Sequence, residues 1–189
     1  MNITKEALEY AKYIFRGDSS GHDYDHTLRV FNLTKKIAIE EKADLKTALL
    51  IAALHDTDDH KLFSTSKTLS HAKNFLLKTS LSEIEINNIL SDISNISYSK
   101  GDNNKLSLEG RVVCDADRLD AIGAIGIARC FAYGGSKKRS MKTSLEHFNE
   151  KLFKIKELMF TNYGKILASE KHEFLKLFYE TYVNEAEGL

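Results

Sequence analysis

The chain has 189 residues, with Lys+Arg and Asp+Glu both totalling 27, so its formal net charge is zero. That length suffices for a substantial core without disulfides or a structural metal. The charge balance excludes any global attraction to nucleic acid or to an anionic membrane, so phosphate binding has to be local.

In chain order, the absence of proline and the Leu, Ile, Lys and Glu residues at three-and-four spacing favour helices nearly everywhere, with no convincing strand pair. Asn2 to Phe15 reads as a first helix with Leu8, Ala11 and Phe15 on one face, ended by Gly17 and the loop 18–21. Charges at Lys5, Glu6, Glu9 and Lys12 exclude a signal peptide in this segment. A second helix starts near 20–23, and His26, Val30, Leu33 and Ile37 form one inward stripe. Asp44 is placed to cap Leu45 to His55, a helix apolar on nearly all sides and therefore central, which delivers His55 and Asp56 at its C-terminal end. Amphipathic helices follow over 68–78 and 82–97, the second opened by the capping box Ser82 to Glu85.

A loop at 99–105 contains Lys100, Gly101 and Asn103-Asn104, and a helix over 107–119 then places Val113 and Asp117 one turn apart. It runs into the small-residue segment 121–128, which reads as core helix; no apolar run approaches the roughly 20 residues a membrane span needs. Tyr133-Gly134-Gly135 and the basic run Lys137-Lys138-Arg139 read as the clearest late loop. Thr143 to Glu146 has capping-box form and opens a helix with the stripe Leu145, Phe148, Leu152, Ile155 and Met159. A last helix spans about 164–183. Cys114 and Cys130 have no ligand spacing and read as buried thiols in a reducing, cytoplasmic compartment. The expected architecture is all-α: one helical domain over 1–189, with a core at about 20–135 and C-terminal helices over 143–185 packed on it.

A histidine on an apolar helical face is more often a hydrogen-bonded core residue than a ligand. Here the set carries the reading: an inward His26, His55-Asp56 ending an apolar helix, and Asp117 on an apolar stripe. Two carboxylates converging on two imidazoles in a core demand a cation or extensive hydrogen bonding. HTLRV at 26–30, LHD at 54–56 and DADRLDA at 115–121 resemble, in order and spacing, the HD superfamily of phosphohydrolases. GHDYDH at 21–26, LHDTDDHK at 54–61, DADRLDAIGAIGIARCFAYGG from Asp115 and HFNEKLFKIKELMFTNYGKILA from His147 are similar to the small bacterial HD hydrolases that split nucleoside triphosphates, deoxy forms especially, into monophosphate and pyrophosphate. The passage Gly135 to Leu145 is shorter than that resemblance leads one to expect.

The resemblance implies a helical bundle of the HD type, with His26, His55, Asp56 and Asp117 as ligands of one divalent ion. Two nitrogen and two oxygen donors leave open positions on an octahedral ion, Mn²⁺ by preference or Mg²⁺, Fe²⁺ or Ni²⁺. Asp59, three residues beyond Asp56, is placed to act as general base or to orient the attacking water, the alternative being that Asp58 and Asp59 form a solvated turn. Cationic candidates for phosphate are His22, Lys61, Lys100 and Arg118; the lysines have ordinary surface roles as an alternative, and Arg118 a pairing with Asp115 or Asp120. Arg29 is placed either to orient a ligand carboxylate or to make an ordinary salt bridge. Tyr133 stacks on a base or belongs to a structural turn. The expected partner is a small nucleotide, not nucleic acid or membrane; oligomeric state is unreadable. Competing expectations are a nucleoside 5′-monophosphatase, an alarmone hydrolase, and a module that binds metal or nucleotide without turnover.

Overall fold

The structure is a computed structural model describing residues 2–16, 24–59, 68–96 and 103–188. All regular elements among the described residues are helical, in agreement with the all-α expectation. The chain divides into two compact units, Met1–Ala116 and Asp117–Leu189, and the division falls within one continuous helix.

In the first unit, α1 (Ile3–Ile14) starts where Asn2 Oδ1 accepts from the Thr4 amide at 3.1 Å. It buries Thr4, Ala7 and Ala11, and Phe15 is buried just after it, so Ala11 and Phe15 of the expected face are inside while Leu8 is only half-buried. Helix α2 (Tyr24–Glu40) buries His26, Thr27, Val30, Thr34, Ile37 and Ala38. It ends with Lys42 at φ 58°, closed by an Ala43 amide bond to the Ala38 carbonyl at 3.0 Å. Helix α3 (Leu45–Leu54) is fully enclosed from Ala48 to Leu54 and packs against α1, α2 and α5. Each large aliphatic side chain buried there contributes about 1.5–3 kcal/mol. Asp44 caps α3 through the Thr47 amide at 2.8 Å, and its own amide donates to Glu109 Oε1 at 2.9 Å.

Helices α4 (Ser70–Leu76) and α5 (Glu83–Ile96) follow. Ser82 and Glu85 form the expected capping box: Ser82 donates its amide to Glu85 Oε2 at 2.8 Å, and Glu85 donates its amide to Ser82 Oγ at 3.3 Å. Helix α6 (Leu108–Asp120) is anchored by buried Asp92 of α5, whose two oxygens accept from the Ser107 amide at 2.9 Å and hydroxyl at 2.6 Å. Gly110 permits this approach, because a Cβ there would lie 2.4 Å from Asp92 Oδ1.

The second unit holds the end of α6, then α7 (Gly123–Ser136), α8 (Met141–Glu150), a 3-10 segment (Leu152–Leu158) and α9 (Asn162–Glu187). Several sequence expectations change here. Gly134 and Gly135 continue α7 instead of forming a loop: a Cβ on Gly134 would lie 2.2 Å from Ser144 Oγ, so this glycine serves close helix approach. The turn is made by Lys138 at φ 56°, with the Arg139 amide bonded to the Gly134 carbonyl at 2.8 Å. The segment 121–128 is no continuous core helix, since Gly123 turns the chain at φ 73° and Ile125 is 42% exposed. Ser140, not Thr143, caps α8, accepting from the Thr143 amide at 3.0 Å.

The stripe Leu145, Phe148, Leu152, Ile155 and Met159 is buried as expected, although the α-helix stops at Glu150. Around Phe148 stand Phe131, Phe153, Phe178 and Tyr179, with ring centroids 6.0–6.1 Å away, an aromatic core for this unit. Cys114 is buried and Cys130 half-buried, and burial pushes the Cys130 thiol above its ordinary pKa. No described helix is long and apolar enough to cross a membrane.

Two stability outcomes follow from these contacts. Gly110→Ala forces Asp92 off the start of α6 and should lower stability by about 1–3 kcal/mol in denaturant melts; an unchanged midpoint would show that Asp92 does not anchor the helix. The hydrogen bonds from Thr47 hold the Asp44 carboxyl below its usual pKa. Its contribution is therefore complete above the unfolded value near 4 and disappears as pH falls through the lower folded value. Asp44→Ala should cost about 1 kcal/mol at pH 7, and much of that difference should vanish in melts repeated at the acid end of the folded range.

Candidate metal centre

His26 is the third residue of α2, and burial of the inward stripe leaves its side chain 1% exposed. His55 stands immediately after α3, where the enclosed helix gives it nowhere to go but the interior. The distance from its Nδ1 to the Ala52 carbonyl oxygen, 2.8 Å, assigns the proton to Nδ1. The lone pair of a neutral His55 is then on Nε2, a buried atom with no hydrogen-bond partner, 3.4 Å from Asp56 Oδ2. His26 Nε2 lies at the same 3.4 Å from that oxygen. The two imidazole rings have centroids 5.6 Å apart and are tilted by 58°. Asp117 completes the gathering: single ligand atoms of His26, His55 and Asp117 all lie within 4.8 Å of one another.

A nitrogen lone pair facing a carboxylate oxygen at that distance is repulsive unless positive charge lies between them. A further imidazole and a further carboxylate at the same point make the requirement stronger. The donors are nitrogen and oxygen, suited to a divalent ion of the octahedral class, and among the described residues no cysteine joins them. The His/His/Asp cluster is thus capable of coordinating a divalent metal, and Asp56 presents a further oxygen at its edge.

After α3 the chain leaves as a turn. Thr57 donates both its amide, at 3.1 Å, and its hydroxyl, at 2.8 Å, to the Leu54 carbonyl, and the Asp59 amide donates to the Asp56 carbonyl at 3.0 Å. Asp59 is half-buried on this turn, one short step beyond Asp56. Asp58 is no part of a solvated turn: it is 4% exposed and accepts from the amides of His71 at 3.0 Å and Ala72 at 2.9 Å, capping α4. Sequence reasoning missed this role because the cap and its helix are separated by a dozen residues; the only signal was the aspartate pair itself.

Arg118 is 6% exposed; it donates to the Leu158 carbonyl and its guanidinium lies 4.8 Å from the Phe160 ring centre. Asp120, in the same motif, is paired with Arg129 at 2.5 Å, while Asp115 is fully buried. Tyr133 is half exposed on α7, and its ring is covered by Lys137 at 5.7 Å and Arg139 at 5.4 Å. Arg29 is half-buried on α2. His22, Lys61 and Lys100 lie outside the described residues.

Comparison with known proteins accords with this geometry. The HD domain family model matches residues 23–122, more than half of the chain, from just before His26 to just after Asp117. Bacillus subtilis YpgQ is 34% identical over 188 residues, covering 95% of this chain and 92% of the relative. Its crystal structure superposes with a TM-score of 0.84 over 98% of this chain and 97% of that one, at 31% identity. A further crystal structure shows YpgQ in complex with ADP, with a TM-score of 0.84, 32% identity and coverage of 97% and 94%. An HD-superfamily hydrolase from Bacillus thuringiensis is 35% identical with a TM-score of 0.84, covering 98% of this chain and 97% of that one. A helical fold shared along nearly the whole chain, with the two histidines and Asp117 inside the matched region, places this protein in the HD-domain family, homologous to the small bacterial HD hydrolases that include YpgQ.

Proposed function

We propose that this protein hydrolyses nucleotides, preferring (deoxy)nucleoside triphosphates and releasing monophosphate and pyrophosphate, with His26, His55, Asp56 and Asp117 holding one divalent ion, Mn²⁺ by preference. The observation that carries the reading is the convergence of one ligand atom each from His26, His55 and Asp117 within 4.8 Å, with Asp56 Oδ2 3.4 Å from the Nε2 atoms of both histidines. The ADP complex of YpgQ supports a nucleotide as ligand, and the resemblance to triphosphate-splitting HD hydrolases supports the pyrophosphate product.

A divalent ion, when bound, supplies an acidified water and neutralises phosphoryl oxygens as charge builds. The Ala52 carbonyl keeps the proton of His55 on Nδ1, so Nε2 stays available as a donor atom. Asp59 takes the proton of the attacking water at its carboxylate, being one turn beyond Asp56 and only half-buried. Cationic partners for the phosphates are proposed at His22, Lys61, Lys100 and Arg118. Arg118 has to leave the Leu158 carbonyl to reach substrate, which makes it the weakest of these assignments. Tyr133 is proposed to stack on the base. With a net charge of zero, phosphate attraction has to be local.

An anion-resolved product assay with Mn²⁺ and a panel of nucleoside mono- and triphosphates tests the reading. Pyrophosphate should appear from triphosphates, and Asp117→Ala should lose bound metal and at least about a hundredfold in activity. Orthophosphate from monophosphates would make the protein a nucleotidase instead, and metal binding without any product would make it a sensor. Asp59→Asn should keep the metal yet lower kcat by about 10²–10⁴-fold, the usual range for a general base; full activity in that variant would remove Asp59 from the mechanism.

A further inference from the structure

The turn that carries Asp56 and Asp59 is tied from outside its own helix. His71 Nδ1 lies 2.8 Å from the Thr57 carbonyl oxygen, so its N–H donates there, 14 residues back along the chain. At the next residue Asp58 Oδ1 accepts the His71 amide at 3.0 Å and the Ser70 hydroxyl at 3.5 Å, while Oδ2 accepts the Ala72 amide at 2.9 Å. Helix α4 thus grips two consecutive residues, Thr57 and Asp58, that lie between Asp56 and Asp59. The helix is itself held: Tyr10 of α1 donates its hydroxyl to the His71 carbonyl at 3.2 Å and packs its ring 5.2 Å from that of Phe75.

We propose that His71 is a positioning residue, which sets the turn bearing Asp56 and Asp59 through its bond to the Thr57 carbonyl, with Tyr10 bracing it from behind. This rests on the reading of Asp56 as ligand and Asp59 as base given above. Thr57 and Asp58 are 0% and 4% exposed, so water cannot replace the lost bonds cheaply. The turn's own bonds run back to Leu54 and Asp56, and the ties to α4 hold its middle, Thr57 and Asp58, from the opposite side. Displacement of a reacting group by about 1 Å costs as much as a hundredfold in rate, which makes the tie functional as well as structural.

The test compares His71→Leu, which keeps bulk but has no donor, with His71→Asn, whose amide nitrogen stands near the place of Nδ1. Purified full chains are assayed for bound Mn²⁺, kcat and KM on the best triphosphate, and amide hydrogen exchange over residues 54–59. Expected for His71→Leu are retained metal, faster exchange at 56–59, and kcat down about tenfold or more with KM within about threefold; His71→Asn should recover most of each loss. Unchanged exchange and kcat in His71→Leu would overturn the proposal, as would equal losses in both variants. Should His71→Leu fail to fold, Tyr10→Phe takes its place: faster exchange at 56–59 supports the bracing, and unaltered exchange overturns it. A wild-type protein inactive on every nucleotide would remove the hydrolase reading alone, because the exchange comparison needs no turnover.

Discussion

An imidazole that donates from one ring nitrogen must present a lone pair from the other. In this protein that constraint falls at the end of a helix with no solvent around it. The Ala52 carbonyl takes the Nδ1 proton of His55, and the remaining nitrogen looks at Asp56 Oδ2 across 3.4 Å. His55 is held in place because α3 is enclosed over its last seven residues and packs against α1, α2 and α5. The same apolar burial that stabilises the helix therefore gathers donors at its end into a cluster capable of coordinating a divalent metal. Stability of the unit and chemistry of the site share one cause.

Buried carboxylates recur through the first unit, each answered differently. Asp92 spends both oxygens on Ser107 and so fixes where α6 begins, and Gly110 exists to let it approach. Asp58 spends its oxygens on the start of α4. Asp56, between a metal-site histidine and the capped turn, is the one whose oxygen faces two imidazole nitrogens. Neighbouring aspartates of identical chemistry thus meet different partners, backbone amides at Asp58 and imidazole nitrogens at Asp56.

The second unit is organised by aromatic packing around Phe148 and by a glycine at 134 that lets α7 and α8 meet. Its cations are engaged locally, Arg118 with Leu158 and Phe160, Arg129 with Asp120, and Lys137 and Arg139 over Tyr133. Two of the three cations in the basic run, Lys137 and Arg139, thus lie over an aromatic ring.

Periodicity and capping chemistry are local, and they were legible in the sequence. The helical class, the caps at Asp44 and Ser82, the burial of His26 and the place of His55 after an apolar helix all depend on residues within a turn or two of each other. Val113 and Asp117 also stand one turn apart in the sequence, and in the structure Asp117 gathers with His26 and His55. What the tertiary structure decided are the contacts between residues far apart in sequence. A double glycine at 134–135 reads as a turn until Ser144 is seen against it, and Asp58 reads as a solvated loop residue until α4 folds back onto it. Arg118 has partners that sequence could not show, the Leu158 carbonyl and the Phe160 ring, both about 40 residues away along the chain. Local sequence sets which groups are present and which way a helix turns them; only packing determines which of them remain unsatisfied, and therefore able to bind something else.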